Sequence, residues 1–375
     1  MSRFAMSWSF TLVTSLAISC SCGCSSENGS TAATGGSGNG AGGATGVVGA
    51  GGSGGIINNT GGAGGTVSMD YQPVSATNQG NLYTLQMGPI KMVIDASVGA
   101  RITEFSYGGV NVLTGPAVDT NTAAPAHNNY GSTFWTSPQS YWGWPPVAAI
   151  DSQAYTGSAS SASNSIQLVS GVATIANFAS SQIYVTKTFV AVPESGAIDV
   201  TYTISNYSAS VSVTLAPWQI SRVKGTGGMT FFGKGSGSVI YQSGSDPTFQ
   251  LTDLDSILWY SFATVNANSK ALADGAGWIA HATASTSTSS SLLYLLSYPD
   301  MQPSEAAPGE AEVEVFTGTN GDYVEIEPQG SFAAIAPGAT RSWTVRWKLR
   351  QVPSGTSVSA GSAALEAFTL LQRNQ

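Results

Sequence analysis

The chain has 375 residues, a formal net charge of -8 and only 9% charged residues. An acidic chain without a basic run offers no clustered cations to a phosphate backbone, so nucleic acid is excluded as a partner class. Its three cysteines, Cys20, Cys22 and Cys24, lie within five positions, so the rest of the chain can hold neither a disulfide nor a thiolate metal site.

At the N-terminus, Arg3 supplies a positive start, and the apolar run FTLVTSLAI (10–18) is far shorter than the ~20 residues a spanning helix needs. The string Leu16-Ala17-Ile18-Ser19-Cys20 resembles a bacterial lipobox, with Ala17 where Leu is usual. In a lipobox the cysteine is acylated and becomes the mature N-terminus, and several acyl chains together anchor far better than one. Residues 1–24 therefore read as a signal segment with Cys20 as the lipidation site, and Cys22 and Cys24 are alternative cleavage positions. The plainer alternative is an ordinary signal peptide with incidental cysteines. Ser21, not Asp, follows Cys20, which is compatible with the outer membrane in a Gram-negative host. The expectation is an exported, cell-envelope protein held to a membrane through its N-terminal lipid anchor.

Residues 25–67 are Gly-, Ser- and Ala-rich, and uncharged from Asn28 onward. Such a segment cannot bury apolar area and behaves as a flexible, disordered linker. No strand leads into its glycines and no Lys follows them, so they are not a phosphate-binding loop.

From about residue 68 the texture changes. Short β-prone runs alternate with turn residues: NLYTLQMG (81–88), IKMVIDAS (90–97), QIYVTKTFVAV (182–192), AIDVTYTIS (197–205), SLLYLLSY (291–298), DYVEIEP (322–328) and SWTVRWKL (342–349). Many of them alternate with period two, placing Val200, Tyr202 and Ile204 on one face and Val345, Trp347 and Leu349 on one face. Helical periodicity is convincing only around 363–372, within a C-terminal segment 354–375. Many short strands without interleaved helices predict one all-β domain over 68–353, a large sandwich of antiparallel sheets.

Three places carry candidate chemistry. The first is NNYGSTFWTSPQSYWGWPP (128–146), a loop-like stretch with Tyr130, Trp135, Tyr141, Trp142 and Trp144. Sugars have apolar C–H faces and hydroxyl rims, so their sites pair flat rings with amides and carboxylates. Asn129, Trp135, Gln139, Trp142 and Trp144 fit that pattern as substrate-binding residues; the alternative is a structural latch. The second is PWQISRV (217–223), where Gln219 offers an amide and Arg222 a planar fork of donors for vicinal hydroxyls or a carboxylate; an Arg paired with a core carboxylate is the alternative. The third is YVEIE (323–327), where Glu325 and Glu327 share one strand face and can raise each other's pKa, suiting one to act as a base; a solvated strand face is the alternative. His127 borders the aromatic segment as a candidate acid, and His281 lies in a strand as a structural residue. No HExxH, CxxC, GxSxG or P-loop pattern occurs, so neither a metal nor a cofactor is expected, and acyl or phosphoryl transfer has no support.

In order, GARITEFSYGGVNVL (99–113), the W-x-x-P-Q-x-x-W-G-W-P-P string, APWQISRV (216–223), DGAGWIAH (274–281) and DYVEIEPQGSF (322–332) resemble a bacterial branch of the galactose mutarotase-like (aldose epimerase-like) superfamily, a domain of unknown function. The resemblance covers about residues 78–352. It implies a large antiparallel β-sandwich with a cleft for a pyranose. It also implies a Glu base, for which Glu325 is the match, and a His acid after the middle strand. The corresponding stretch here, Pro217–Val223, has Gln219 and Arg222 but no histidine. The expected function is therefore carbohydrate binding, with a saccharide as ligand. An aldose mutarotase-type isomerase using Glu325 is the first alternative, and a non-catalytic envelope protein binding a protein partner is the second.

Overall fold

The computed structural model describes residues 71–116, 129–287, 289–319 and 321–375. Cys20, the Gly-rich linker and His127 lie outside the described residues. In chain order the first strands are β1 (Val74–Gln79), β2 (Leu82–Met87), β3 (Ile90–Asp95), β4 (Arg101–Tyr107), β5 (Val110–Asn111) and β6 (Ser132–Ser137). A short helix, α1 (Ala148–Asp151), precedes β7 (Thr156–Ser160), β8 (Ser165–Val169), β9 (Ile183–Val192), β10 (Ala197–Asn206) and β11 (Val213–Lys224). There follow β12 (Met229–Gly233), β13 (Ile240–Tyr241), β14 (Thr252–Leu254), β15 (Ile257–Ser261), β16 (Ser269–Ala273) and β17 (Trp278–Ala282). The last strands are β18 (Leu292–Ser297), β19 (Val313–Thr317), β20 (Tyr323–Pro328), β21 (Ala333–Ile335) and β22 (Thr340–Gln351), and helix α2 (Ala363–Arg373) follows them.

The strands form two antiparallel sheets. The first runs β1-β2-β3-β4-β6-β11-β20-β19-β16-β13, with β5 on β4 and β21 on β11; the second runs β14-β15-β12-β17-β18-β22-β10-β9-β8-β7. The all-β antiparallel architecture expected from the sequence is the one observed, and α2 covers the segment with helical periodicity.

Period two explains which face packs where. In β9 the burial alternates strictly along IYVTKTFVAV, the pattern of a strand with one face in the core. Between the sheets, Phe134 stacks on Tyr202 with centroids 4.5 Å apart, and Phe105 meets Trp347 edge to face at 5.3 Å. These rings join Ile198, Val200, Val324, Ile326 and Val345 in one continuous core. Strands β6, β11 and β20 differ, because all their residues except Thr214 and Lys224 are buried. Both of their faces are covered, so their sequences show no alternation. For that reason Trp135, expected in a loop, stands instead in the central strand β6.

Candidate functional site

The site is built on the face of the first sheet that points away from the second. The register sets Trp135 opposite Trp218, and Arg222 opposite Glu325, which is in turn opposite Phe316. Since side chains alternate, Trp218, Ile220 and Arg222 share this outer face with Trp135, Glu325 and Glu327. The expectation that Glu325 and Glu327 face the same side holds in the structure.

The rings form a pile. Trp135 meets Trp218 at 5.2 Å, Trp142 at 5.8 Å and Trp144 at 6.0 Å, all edge to face. Trp142 donates its Nε1–H to the Thr136 carbonyl at 2.7 Å, which fixes the indole against β6. Trp144 keeps 52% of its surface exposed at the rim. Gln139 is tied by its backbone N–H to Glu310 Oε1 at 2.9 Å, joining the aromatic segment to the loop before β19. Asn129 is half-buried at the start of the same stretch.

Beside the rings lies a ladder of buried charges. Arg222 Nε donates to Glu325 Oε1 at 2.9 Å, and the guanidinium carbon stands 5.8 Å from the Trp135 ring centroid. Arg222 is fully buried, yet its Nη1 and Nη2 donate to no acceptor among the described residues. Lys270 Nζ bridges Glu314 Oε2 at 2.5 Å and Glu327 Oε2 at 3.0 Å, and sits 4.8 Å from the Trp218 ring centroid. Burial pushes Lys270 down, but the two carboxylates outweigh it and hold its ammonium charged. Burial pushes Glu314 and Glu327 up, and Lys270 offsets this only in part. One ammonium cannot neutralise two buried carboxylates, so the trio retains a proton near neutral pH. Glu314 Oε1 accepts from Gln329 Nε2 at 2.8 Å, whereas Glu327 Oε1 has no partner among the described residues.

Asp151, at the end of α1, supports the floor. Its Oδ1 accepts from Trp135 Nε1 at 2.8 Å, Thr133 Oγ1 at 2.9 Å and Arg101 Nη2 at 2.9 Å. Burial pushes Asp151 up, but the Arg101 charge and the bonds from Trp135 and Thr133 outweigh it and hold the carboxyl below its usual range.

The structure thus brings Trp135, Trp142, Trp144, Arg222 and Glu325 together, with Gln139 and Asn129 on the adjoining segment. It does not bring Gln219 to them. Three positions from Arg222, Gln219 necessarily faces the opposite way. Its Oε1 accepts from Tyr202 OH at 3.3 Å and Trp347 Nε1 at 3.1 Å inside the core, and its Nε2 donates to Ser221. His281 is also remote, on β17 of the second sheet with Thr230 Oγ1 2.9 Å from its Nδ1; burial pushes it down to about 4. Sequence reasoning missed Asp151, Lys270 and Glu314. The alternation of Glu312 and Glu314 in EVEV was a signal for a charged strand face, but nothing local marks Asp151 or Lys270.

No protein-family model and no curated protein matches the chain. Among solved structures it is similar to a galactose mutarotase-like protein from Lactobacillus casei ATCC 334, at 11% identity and a TM-score of 0.48, over 72% of this chain and 100% of that one. It is similar to a galactose mutarotase-like protein from Clostridium acetobutylicum at 11% identity and a TM-score of 0.45, over 74% and 98%. It is also similar to a TPR-domain containing protein from Parabacteroides distasonis ATCC 8503 at 12% identity and a TM-score of 0.49, over 74% of this chain and 49% of that one. At these identities the likeness, to galactose mutarotase-like structures among others, is one of fold alone.

Proposed function

We propose that the domain binds a saccharide on the outer face of its first sheet, against Trp135, Trp142 and Trp144 and over Arg222 and Glu325. The observation that carries this reading is the pile of indoles that ends at the exposed Trp144, with Arg222 beneath it, whose two terminal NH2 groups have no acceptor among the described residues. Unmet buried donors are costly, and a ligand oxygen relieves that cost. Indole faces take the C–H faces of a sugar while the guanidinium takes its hydroxyl rim. Gln139 and Asn129 complete the rim, and Gln219 holds the strand from behind.

Binding is favoured over turnover. Glu325 is engaged by Arg222, and no histidine among the described residues stands near it. The chain is further read as exported and anchored through Cys20, which places the domain where envelope or external glycans are met. Calorimetric titration of the purified domain with a panel of neutral and acidic monosaccharides and oligosaccharides tests the reading. Saturable binding that is lost in Trp135→Ala supports it; no binding across the panel defeats it. Palmitate labelling of the whole chain, abolished by Cys20→Ser, tests the anchor separately.

A further inference from the structure

Helix α2 packs one stripe onto the outer face of the second sheet and leaves the neighbouring flank open. Leu365 and Phe368 enter a cluster with Phe231, Trp259 and Trp278. At the helix end, Lys348 Nζ donates to the Gln372 carbonyl at 2.7 Å, and Arg350 Nε to Gln372 Oε1 at 3.0 Å. The next flank carries Ala363, Glu366, Ala367, Leu370 and Arg373, spaced to lie along one line of the helix. That line is one wall of a groove of about 490 Å³, and Gly233, Ile257, Ala276 and Trp278 form much of the other wall.

Small and aliphatic side chains make up most of these walls, and two donors converge at one end. Trp278 is only 4% exposed, and its Nε1 lies beside Gly233, another residue of the groove wall. A Cβ at Gly233 would stand 2.6 Å from that nitrogen, so the glycine leaves the N–H uncovered. The Arg373 guanidinium lies 4.7 Å from the centroid of the same indole, and Arg373 forms no ion pair among the described residues. The other lining cation, Lys234, is already paired with Asp253. Glu366 is the lining carboxylate and stands seven residues, about 10 Å along the axis, from Arg373. One end of the groove therefore offers positive charge and an indole N–H, and the remainder offers an aliphatic track.

We infer that this groove binds an amphiphilic carboxylate, with its head on Arg373 and Trp278 Nε1 and its apolar body along Leu370 and Ala367. A charged acceptor between a guanidinium and an indole N–H makes charge-assisted hydrogen bonds, stronger than those of a neutral group. The aliphatic body covers Leu370, which is 54% exposed without it. The site is separate from the saccharide face, which lies on the other sheet.

Isothermal titration of the purified chain with decanoate, kept below its aggregation concentration, tests the assignment, with decanamide as the uncharged analogue. The expected result is one saturable site for decanoate, with decanamide weaker by on the order of tenfold. Arg373→Gln lowers decanoate affinity by a similar factor. Ala367→Phe, at an exposed helix position where the fold tolerates a larger side chain, blocks the groove and abolishes binding. The assignment is overturned by absence of a saturable site, by equal affinity for decanamide, or by unchanged binding in Ala367→Phe.

Discussion

Replacing Asp151 by Asn tests how the aromatic floor is held. One carboxylate oxygen accepts from Trp135, Thr133 and Arg101, and Arg101 is fully buried. The nearly isosteric amide removes the charge and leaves a buried guanidinium uncompensated. Breaking a buried pair in this way costs about 3–5 kcal/mol, and the retained amide oxygen places the expected loss near the lower end, about 3 kcal/mol. Urea unfolding read by circular dichroism and by tryptophan fluorescence measures it. The sign of the pH dependence follows from the depressed folded-state pKa of Asp151. Its contribution is full above the unfolded carboxyl's pKa of about 4 and is lost as the pH falls through the lower folded value. The gap between wild type and variant is therefore constant from pH 7 to about 5 and narrows in more acidic buffer. Removing both partners, as Arg101→Met with Asp151→Leu, costs much less than the sum of the single changes. A loss below about 1 kcal/mol in Asp151→Asn, or strict additivity in that cycle, refutes the reasoning.

Three further outcomes are expected. Gln219→Leu strands the Tyr202 hydroxyl and the Trp347 indole N–H in the core and destabilises by about 1–3 kcal/mol in denaturant titration, while any saccharide affinity is retained. Burial holds folded His281 near 4 against about 6.5 when unfolded, so the unfolded chain binds the extra proton. Stability is thus full above pH ~6.5 and falls by roughly 2–3 kcal/mol as the pH drops toward 4, a slope that His281→Gln flattens in pH-dependent unfolding. Gly99 has φ +67° and a Cβ there would press on the Asp151 backbone carbonyl, so Gly99→Ala both destabilises the domain and displaces α1, read as loss of near-ultraviolet circular dichroism.

Strands with one face in the core announced themselves in the sequence. The alternation in QIYVTKTFVAV and AIDVTYTIS is the direct imprint of burial on every second residue, and the observed β9 and β10 follow it. The site strands did not, because β6 and β11 are covered on both sides and their polar residues are buried with the apolar ones. STFWTS therefore read as part of a loop. The same blindness placed Gln219 with Arg222, although counting three residues along a strand already sends them to opposite faces. Asp151 was illegible for another reason. Its importance comes from Arg101, fifty residues away, and from a register that only the closed sheet supplies.

The position of β22 has a consequence for how such a chain is made. This strand follows every other strand in chain order, yet it lies between β18 and β10, filling the middle of the second sheet. Until it arrives, β10 and β18 each expose an unpaired edge and half of the sandwich cannot close. Before β22 is made, the second sheet is therefore prone to association through those edges. Its long-range pairings also make folding slow once it begins.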